Sequence, residues 1–344
     1  MPAKDDLESR LEAARRPMLA PPMPPASLPI RLRTSPALRR LIPTRLAVNR
    51  AEARAQRNWN SKPGTREAMT QMMQAIVGGT ARADEAHELA RRHVIEEEVH
   101  RALFWQPWAP AEIDATSSAH LEAARADGRP LLFSNCHMGP FHLHMSAIAT
   151  AEHPTFVVSA PWFLEPPTHD YWGRRIAHWW RRLALQRPYE HVVYGPGSMP
   201  VLRALLEAGD YLLIYFDMPG GRRTQFLGKP VMLATGTARL AAETGALIVP
   251  LRCRREGHRA WAEVGEPIDP GDHGDPERLQ DLLAAVHERW ILELPETLED
   301  PNRPGGWEGG ASAREWIRAG RDRPATDEPE AHDPATAPAR AQGA

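Results

Sequence analysis

The chain has 344 residues, a net charge of −2 and a hydrophobic fraction of 42%. That balance excludes a disordered polyelectrolyte and supplies enough apolar material for one large domain or two small ones. Cys136 and Cys253 are its 2 cysteines, too few for a disulfide framework, and no apolar run is long enough to cross a bilayer as a helix.

In chain order, the start "MPAKDDLESR" lacks the basic-then-apolar pattern of a signal peptide, so none is expected. Prolines 17, 21, 22, 24, 25 and 29 predict a disordered arm over residues 1–29 with no regular hydrogen-bonded element. Residues 30–57 carry Arg31, Arg33, Arg39, Arg40, Arg45, Arg50, Arg54 and Arg57 against Glu52 alone, a basic excess suited to anionic lipid headgroups. Nucleic acid is the competing partner of a basic run, but no recognised nucleic-acid fold accompanies it, so none is expected. Periodicity predicts helices over 65–78 and 84–103, giving an α-helical N-terminal part over 30–110.

From there, apolar runs alternate with helical patterns. Strands are expected at 130–136, 155–160, 191–194, 211–216, 247–253 and 260–264, and helices at 140–151, 170–185, 198–208, 235–244 and 276–294. Continuous runs such as "YLLIYF" suit strands covered on both faces. The alternation predicts an α/β fold with a mostly parallel central sheet flanked by helices, its core over 111–295 and the folded body over 30–317. Residues 318–344, rich in Pro, Ala and charge, are expected to be a disordered tail.

The stretch "LLFSNCHMGPFHLHMSAIA" (131–149) concentrates chemistry. Gly139 permits a sharp turn after the strand, and Pro140 suits the first position of a helix. His137 then sits on the loop leaving a strand's carboxyl end, where open α/β sheets bind ligands. His142, five positions on, is placed to fold back toward it. A metal site is a weaker reading, because His142 and His144, two apart on a helix, point away from each other. So is a Cys136 nucleophile, because Cys136 ends the strand facing inward. Polar loop residues without chemistry are a third reading. The fourth, and preferred, makes His137 a general base held by His142.

Strand followed by "CHMGPFHL" resembles the signature of the lipid A biosynthesis acyltransferases, the lauroyl/myristoyl transferase group of the lysophospholipid acyltransferase-like superfamily. That motif is His, four residues, then Asp or Glu, commonly with Gly two after the His. His137 and Gly139 match, and His142 stands at the acidic position. The stretch "SMPVLRALLEAGDYLLIYFDMPGGRRTQFLGKPVMLATGTARLAAETGALIVPLRCRREGHRAWAEVGEPID" resembles the family's second half. In it, Asp217 ends a strand, and Phe226, Gly228 and Pro230 fill the Phe-x-Gly-x-Pro element. The resemblance spans residues 65–270.

The resemblance implies transfer of a long-chain acyl group from a thioester, on acyl carrier protein or coenzyme A, to a lipid or glycolipid hydroxyl. It implies His137 as base and no metal or cofactor. With His142 at the acidic position three resolutions stand: another carboxylate, Asp217 by analogy, serves His137; the acceptor is more nucleophilic, such as an amine or soluble acceptor in specialised metabolism; or the protein binds lipid without transfer. Analogy further suggests Arg222 and Arg223 for the thioester oxyanion, and Arg174 or Arg175 for a donor or lipid phosphate. In "DYWGRRIAHWWRRLAL" (170–185), Trp172, Ile176, Trp179, Trp180 and Leu183 share one face opposite Arg174, Arg175, His178, Arg181 and Arg182. That pattern suits either a membrane interface or a core-facing helix with a wet side. A peripheral protein at the cytoplasmic face of the cell membrane is the expected setting.

Overall fold

A computed structural model describes residues 4–15, 27–33, 35–106, 108–150, 152–159, 189–193 and 198–300. Helices α1 (Lys4–Arg15), α2 (Leu28–Arg33), α3 (Pro36–Arg40), α4 (Thr44–Ser61), α5 (Pro63–Val77) and α6 (Ala86–Phe104) come first. They are followed by β1 (Ala111–Ile113), α7 (Ala115–Ala126), β2 (Leu131–Asn135), α8 (Met145–Ile148), β3 (Thr155–Ser159) and β4 (Tyr189–Val193). The remainder is α9 (Ser198–Glu207), β5 (Tyr211–Tyr215), β6 (Pro219–Phe226), β7 (Lys229–Leu233), α10 (Gly236–Thr244), β8 (Leu247–Glu256), β9 (Arg259–Val264) and α11 (Pro276–Glu293).

The main sheet has seven strands in the order β1-β9-β8-β2-β5-β3-β4. Strands β8, β2, β5, β3 and β4 run parallel; β9 turns back beside β8, and β1 runs parallel to β9. This is the mostly parallel sheet flanked by helices that the alternating pattern predicts. All five residues of central β2 are buried, which fits the apolar run Leu131–Phe133 that opens it.

Side-chain alternation along the strands splits the core into two layers. Leu132, Leu212 and Ile248 join Met73, Ile76, Leu89, Leu205, Leu240 and Leu283 on one face. Leu131, Phe133, Leu213, Val249 and Leu251 join Val48, Leu103 and Leu121 on the other. Truncating one of these leucines to alanine should cost about 2–5 kcal/mol.

Several expectations need correction. The arm over residues 1–29 carries a helix, α1, whose Leu7, Leu11 and Ala14 pack against the core and whose Arg15 Nη2 lies 2.6 Å from Asp210 Oδ2. No proline lies between Pro2 and Pro17, so nothing in 4–15 opposes a helix, and the spacing of those three residues gives it an apolar stripe. Within the part expected to be α-helical, α4 buries Val48, Ala51, Ala55 and Trp59, and Arg54 Nη2 meets Glu98 Oε2 at 2.6 Å. The helix expected over 140–151 shrinks to a 3₁₀ turn at Phe141–Leu143 and the four residues of α8. Helix α7, capped by Asp114 Oδ1 accepting the Ser117 N–H at 2.7 Å, was outside the expected elements. The Phe-x-Gly-x-Pro element lies on the β6–β7 hairpin, which turns at Leu227 and Gly228 with φ of 53° and 71°. The tryptophan-rich segment 170–185 and the tail 318–344 lie outside the described residues.

The exposed large hydrophobic residues among the described residues are Leu28, Leu32, Leu38, Leu41 and Leu46. All fall within one short stretch, beside Arg31, Arg39, Arg40 and Arg45.

Candidate active site

The site begins with strand register. Strands β2 and β5 pair in parallel with Asn135 opposite Tyr215. Two residues further along each chain come His137 and Asp217, leaving the sheet side by side at its carboxyl edge. Phe216 N–H still donates to Asn135 O at 2.6 Å, so the two exits stay together.

Asp217 is fully buried and accepts two bonds from one residue: His137 Nδ1 lies 2.8 Å from Oδ1, and the His137 backbone N–H donates to Oδ2 at 3.2 Å. Those bonds compensate the burial of the carboxylate. With Asp217 accepting at Nδ1, the neutral imidazole carries its proton there, and Nε2 is the basic atom. The His137 side chain keeps 16% exposure, so the ring is accessible rather than entombed. One face of the ring stacks on Tyr215, with centroids 3.9 Å apart and planes 17° from parallel. The edge of Phe141 approaches at 5.1 Å.

The loop is fixed by backbone as well. Gly139 has φ of 55°, and a Cβ there would stand 2.3 Å from Cys253 O; glycine is required on both counts. Gly139 N–H donates to Thr297 O at 2.7 Å, and Glu299 N–H donates to His137 O at 2.8 Å, with Met138 and Leu298 forming an antiparallel bridge between them. The segment after α11 therefore runs along the histidine loop.

His142 goes elsewhere. Its ring is buried, and its Nδ1 lies 3.0 Å from Nε2 of His100 on α6. The two rings lie nearly parallel, 11° apart, with Phe104 and Phe141 around them. Burial pushes His100 down to about 4, so it is neutral at pH 7. The expected pairing of His137 with His142 is thus replaced: the atom that needs an orienting partner, Nδ1 of His137, has Asp217. The reason is local. The 3₁₀ turn at Phe141–Leu143 is not the regular helix assumed, and it directs position 142 toward α6.

His144 is also buried, with Nδ1 3.4 Å from Asn135 Nδ2. Cys136 and Cys253 are buried free thiols, and burial pushes the Cys253 thiol up, away from a reactive thiolate. Among the described residues no three His, Cys, Asp or Glu side chains are grouped to hold a metal ion.

Arg222 is engaged by α11: Nη1 lies 2.8 Å from Asp281 Oδ1 and Nη2 lies 3.6 Å from Glu277 Oε2. Arg223, its neighbour on β6, is exposed and points to the other face of the hairpin. Neither is brought to His137 by a contact. Arg174 and Arg175 lie outside the described residues. Tyr215, Phe141, His100 and the 297–299 backbone were missed in the sequence. Only Tyr215 leaves a trace there, two positions before Asp217 and hence on the same side of β5.

No family model matches the chain, and no curated protein sequence matches it significantly. Among solved structures it is similar to the crystal structure of the 1-acyl-sn-glycerophosphate (LPA) acyltransferase, PlsC, from Thermotoga maritima. The likeness covers 66% of this chain and 95% of that one, with a TM-score of 0.37 and 15% sequence identity. At that distance it assigns nothing to this chain. No helix among the described residues is long and apolar enough to cross a membrane.

Proposed function

We propose that this chain is an acyltransferase in which His137 is the general base and Asp217 its orienting carboxylate. The observation that carries the reading is the 2.8 Å contact between His137 Nδ1 and Asp217 Oδ1, made by an accessible ring at the carboxyl edge of a parallel sheet. Nε2 takes the proton of an acceptor hydroxyl as its oxygen attacks a thioester carbonyl. The C–S bond then breaks, and the imidazolium returns the proton to the leaving thiolate. Asp217 stabilises that imidazolium and holds the tautomer.

The donor proposed is a long-chain acyl group on acyl carrier protein or coenzyme A, and the acceptor a lipid or glycolipid. The motif resemblance over residues 65–270 supports both. The setting proposed is an anionic membrane surface at the cytoplasmic face. Exposed leucines interleaved with arginines over residues 28–46 support that setting, since such a surface can place apolar side chains among acyl chains and cations among phosphates.

The test is the initial rate of thiol release from acyl-CoA and acyl carrier protein donors, with lipid acceptors, for the parent and His137→Ala. His137→Ala should lose about 10³-fold or more while its circular dichroism spectrum stays that of the parent, with a lowered melting temperature because buried Asp217 loses its ring partner. Near-normal turnover in that variant removes His137 from the mechanism. A parent that binds lipid vesicles but consumes no thioester favours lipid binding without transfer.

A further inference from the structure

His137 is held by more than a carboxylate. Along β5, Tyr211, Leu213 and Tyr215 lie on one side, and Asp217 continues that series beyond the strand end. Tyr211 and Leu213 are buried in the core layer. Tyr215, at the strand's carboxyl end, is only partly buried, and its ring lies flat against the imidazole at 3.9 Å. Phe141 stands roughly perpendicular to both rings, with centroids 5.1 Å from His137 and 5.6 Å from Tyr215, so one face and one edge of the imidazole are covered.

The face of a phenol ring carries negative electrostatic potential and attracts a cation laid over it. It does little for a neutral imidazole. The imidazole becomes a cation only while it holds the acceptor's proton, so the contact strengthens at the moment of transfer. Differential stabilisation of this kind accelerates a step, whereas uniform binding does not.

We propose that Tyr215 is a positioning residue for the base, its ring face fixing the plane of the His137 imidazole and stabilising that imidazole's protonated form. The proposal rests on the reading of His137 as the base. Among the described residues, the titratable groups near His137 include Asp217 at the end of β5, which meets the ring by a hydrogen bond, His142 on the same loop, Glu299 on the segment after α11, and His100 on α6 behind Phe141.

The test compares the parent with Tyr215→Phe, Tyr215→Leu and Tyr215→Met. Removing the aromatic face destabilises the imidazolium. The imidazole then stays neutral to lower pH, and it is a weaker base where it is neutral. In the kcat/KM profile with myristoyl-CoA, the Leu and Met variants should drop about three- to tenfold on the plateau, and their acid limb should move to lower pH by about half a unit or more. Tyr215→Phe keeps the face and should overlay the parent on both. A merely structural loosening would lower the plateau and leave the limb in place.

A second readout needs no turnover: histidine ring carbon NMR titration of the same proteins, with the His137 signal assigned by its loss in His137→Gln. The His137 midpoint should fall in Tyr215→Leu and Tyr215→Met and hold in Tyr215→Phe. A midpoint unmoved in the Leu and Met variants overturns the proposal, as does a Phe variant that behaves like Leu, since the hydroxyl would then be the acting group. If the midpoint shifts as expected while the parent turns over no thioester, acyl transfer fails and the role of Tyr215 stands.

Discussion

Two walls meet at His137, and they are made of opposite chemistry. The β5 wall presents a buried carboxylate that accepts two bonds from the histidine, next to an aromatic face. The α6 wall presents His100 and His142, hydrogen-bonded to each other and surrounded by Phe104 and Phe141. A carboxylate can stabilise an imidazolium; His100, pushed down to about 4 by burial, has no charge to offer at pH 7. The difference teaches that the sequence position matching a motif's acid and the spatial position of the acid can separate. Here the spatial position is filled from the adjacent strand, and the motif position has become packing.

The widest separation between the walls should come from Asp217→Asn, which keeps the size of the side chain and removes its charge. Initial thioester consumption should fall about 10²–10⁴-fold. His142→Ala should fall less than about tenfold and instead lower stability in urea by about 1–3 kcal/mol, the cost of leaving His100 without its partner. The reverse ranking would break the comparison. Gly139→Ala should come next, hitting both measurements. Its added Cβ would stand 2.3 Å from Cys253 O in a left-handed conformation, and the expected loss is about 2 kcal/mol or more, with reduced turnover as the loop shifts. His142→Glu sharpens the comparison further. Were His142 the orienting partner, the new anion would hold or raise the rate. With Asp217 already in place, the carboxylate is instead buried beside neutral His100, so stability should fall and the rate should not rise.

Most of the sheet was legible because buried parallel strands write themselves as short runs rich in apolar and β-branched residues: Leu131–Asn135, Thr155–Ser159 and Tyr211–Tyr215 fall within a residue of expectation. Helix α4 falls in the part expected to be α-helical, but its bounds were not legible, since the arginines of residues 30–57 outnumber the buried Val48, Ala51, Ala55 and Trp59 that mark its inner face. The pairing of His137 with Asp217 depends on the register of β2 against β5, which neither strand encodes by itself; the motif only nominated Asp217 among several options. His100 left no trace, because a histidine 42 positions before His142, on a helix of mixed composition, carries no spacing signal. Nor did Thr297 and Glu299, which act on the loop through backbone atoms that every residue type shares.

The smallest effect expected separates the walls by proton uptake. His100 and His287 both sit near 4 because burial disfavours their charged forms, against an ordinary value of 6.5. His287 is fully buried, with Nε2 2.8 Å from Ser134 Oγ and its ring against Phe216. Above pH 6.5 both histidines are neutral in the folded and unfolded chains, and stability is at its full value with respect to them. Below that, the unfolded chain binds protons that the folded chain refuses until about pH 4, so stability is lost as pH falls through this window. Each histidine contributes at most about 1.4 kcal/mol per pH unit, with partly buried His100 giving less than His287. Urea unfolding between about pH 7 and pH 4.5 measures the slope. The double variant Ser134→Ala with His287→Phe removes one histidine without stranding a hydroxyl, and should flatten the curve by roughly one proton. Asp217→Asn should leave the contribution of His100 untouched and deepen that of His287, because burial holds His287 down while the Asp217 charge partly offsets it. A stability that stays flat across this window would show that the two histidines protonate in place, and the α6 wall would then carry charge after all.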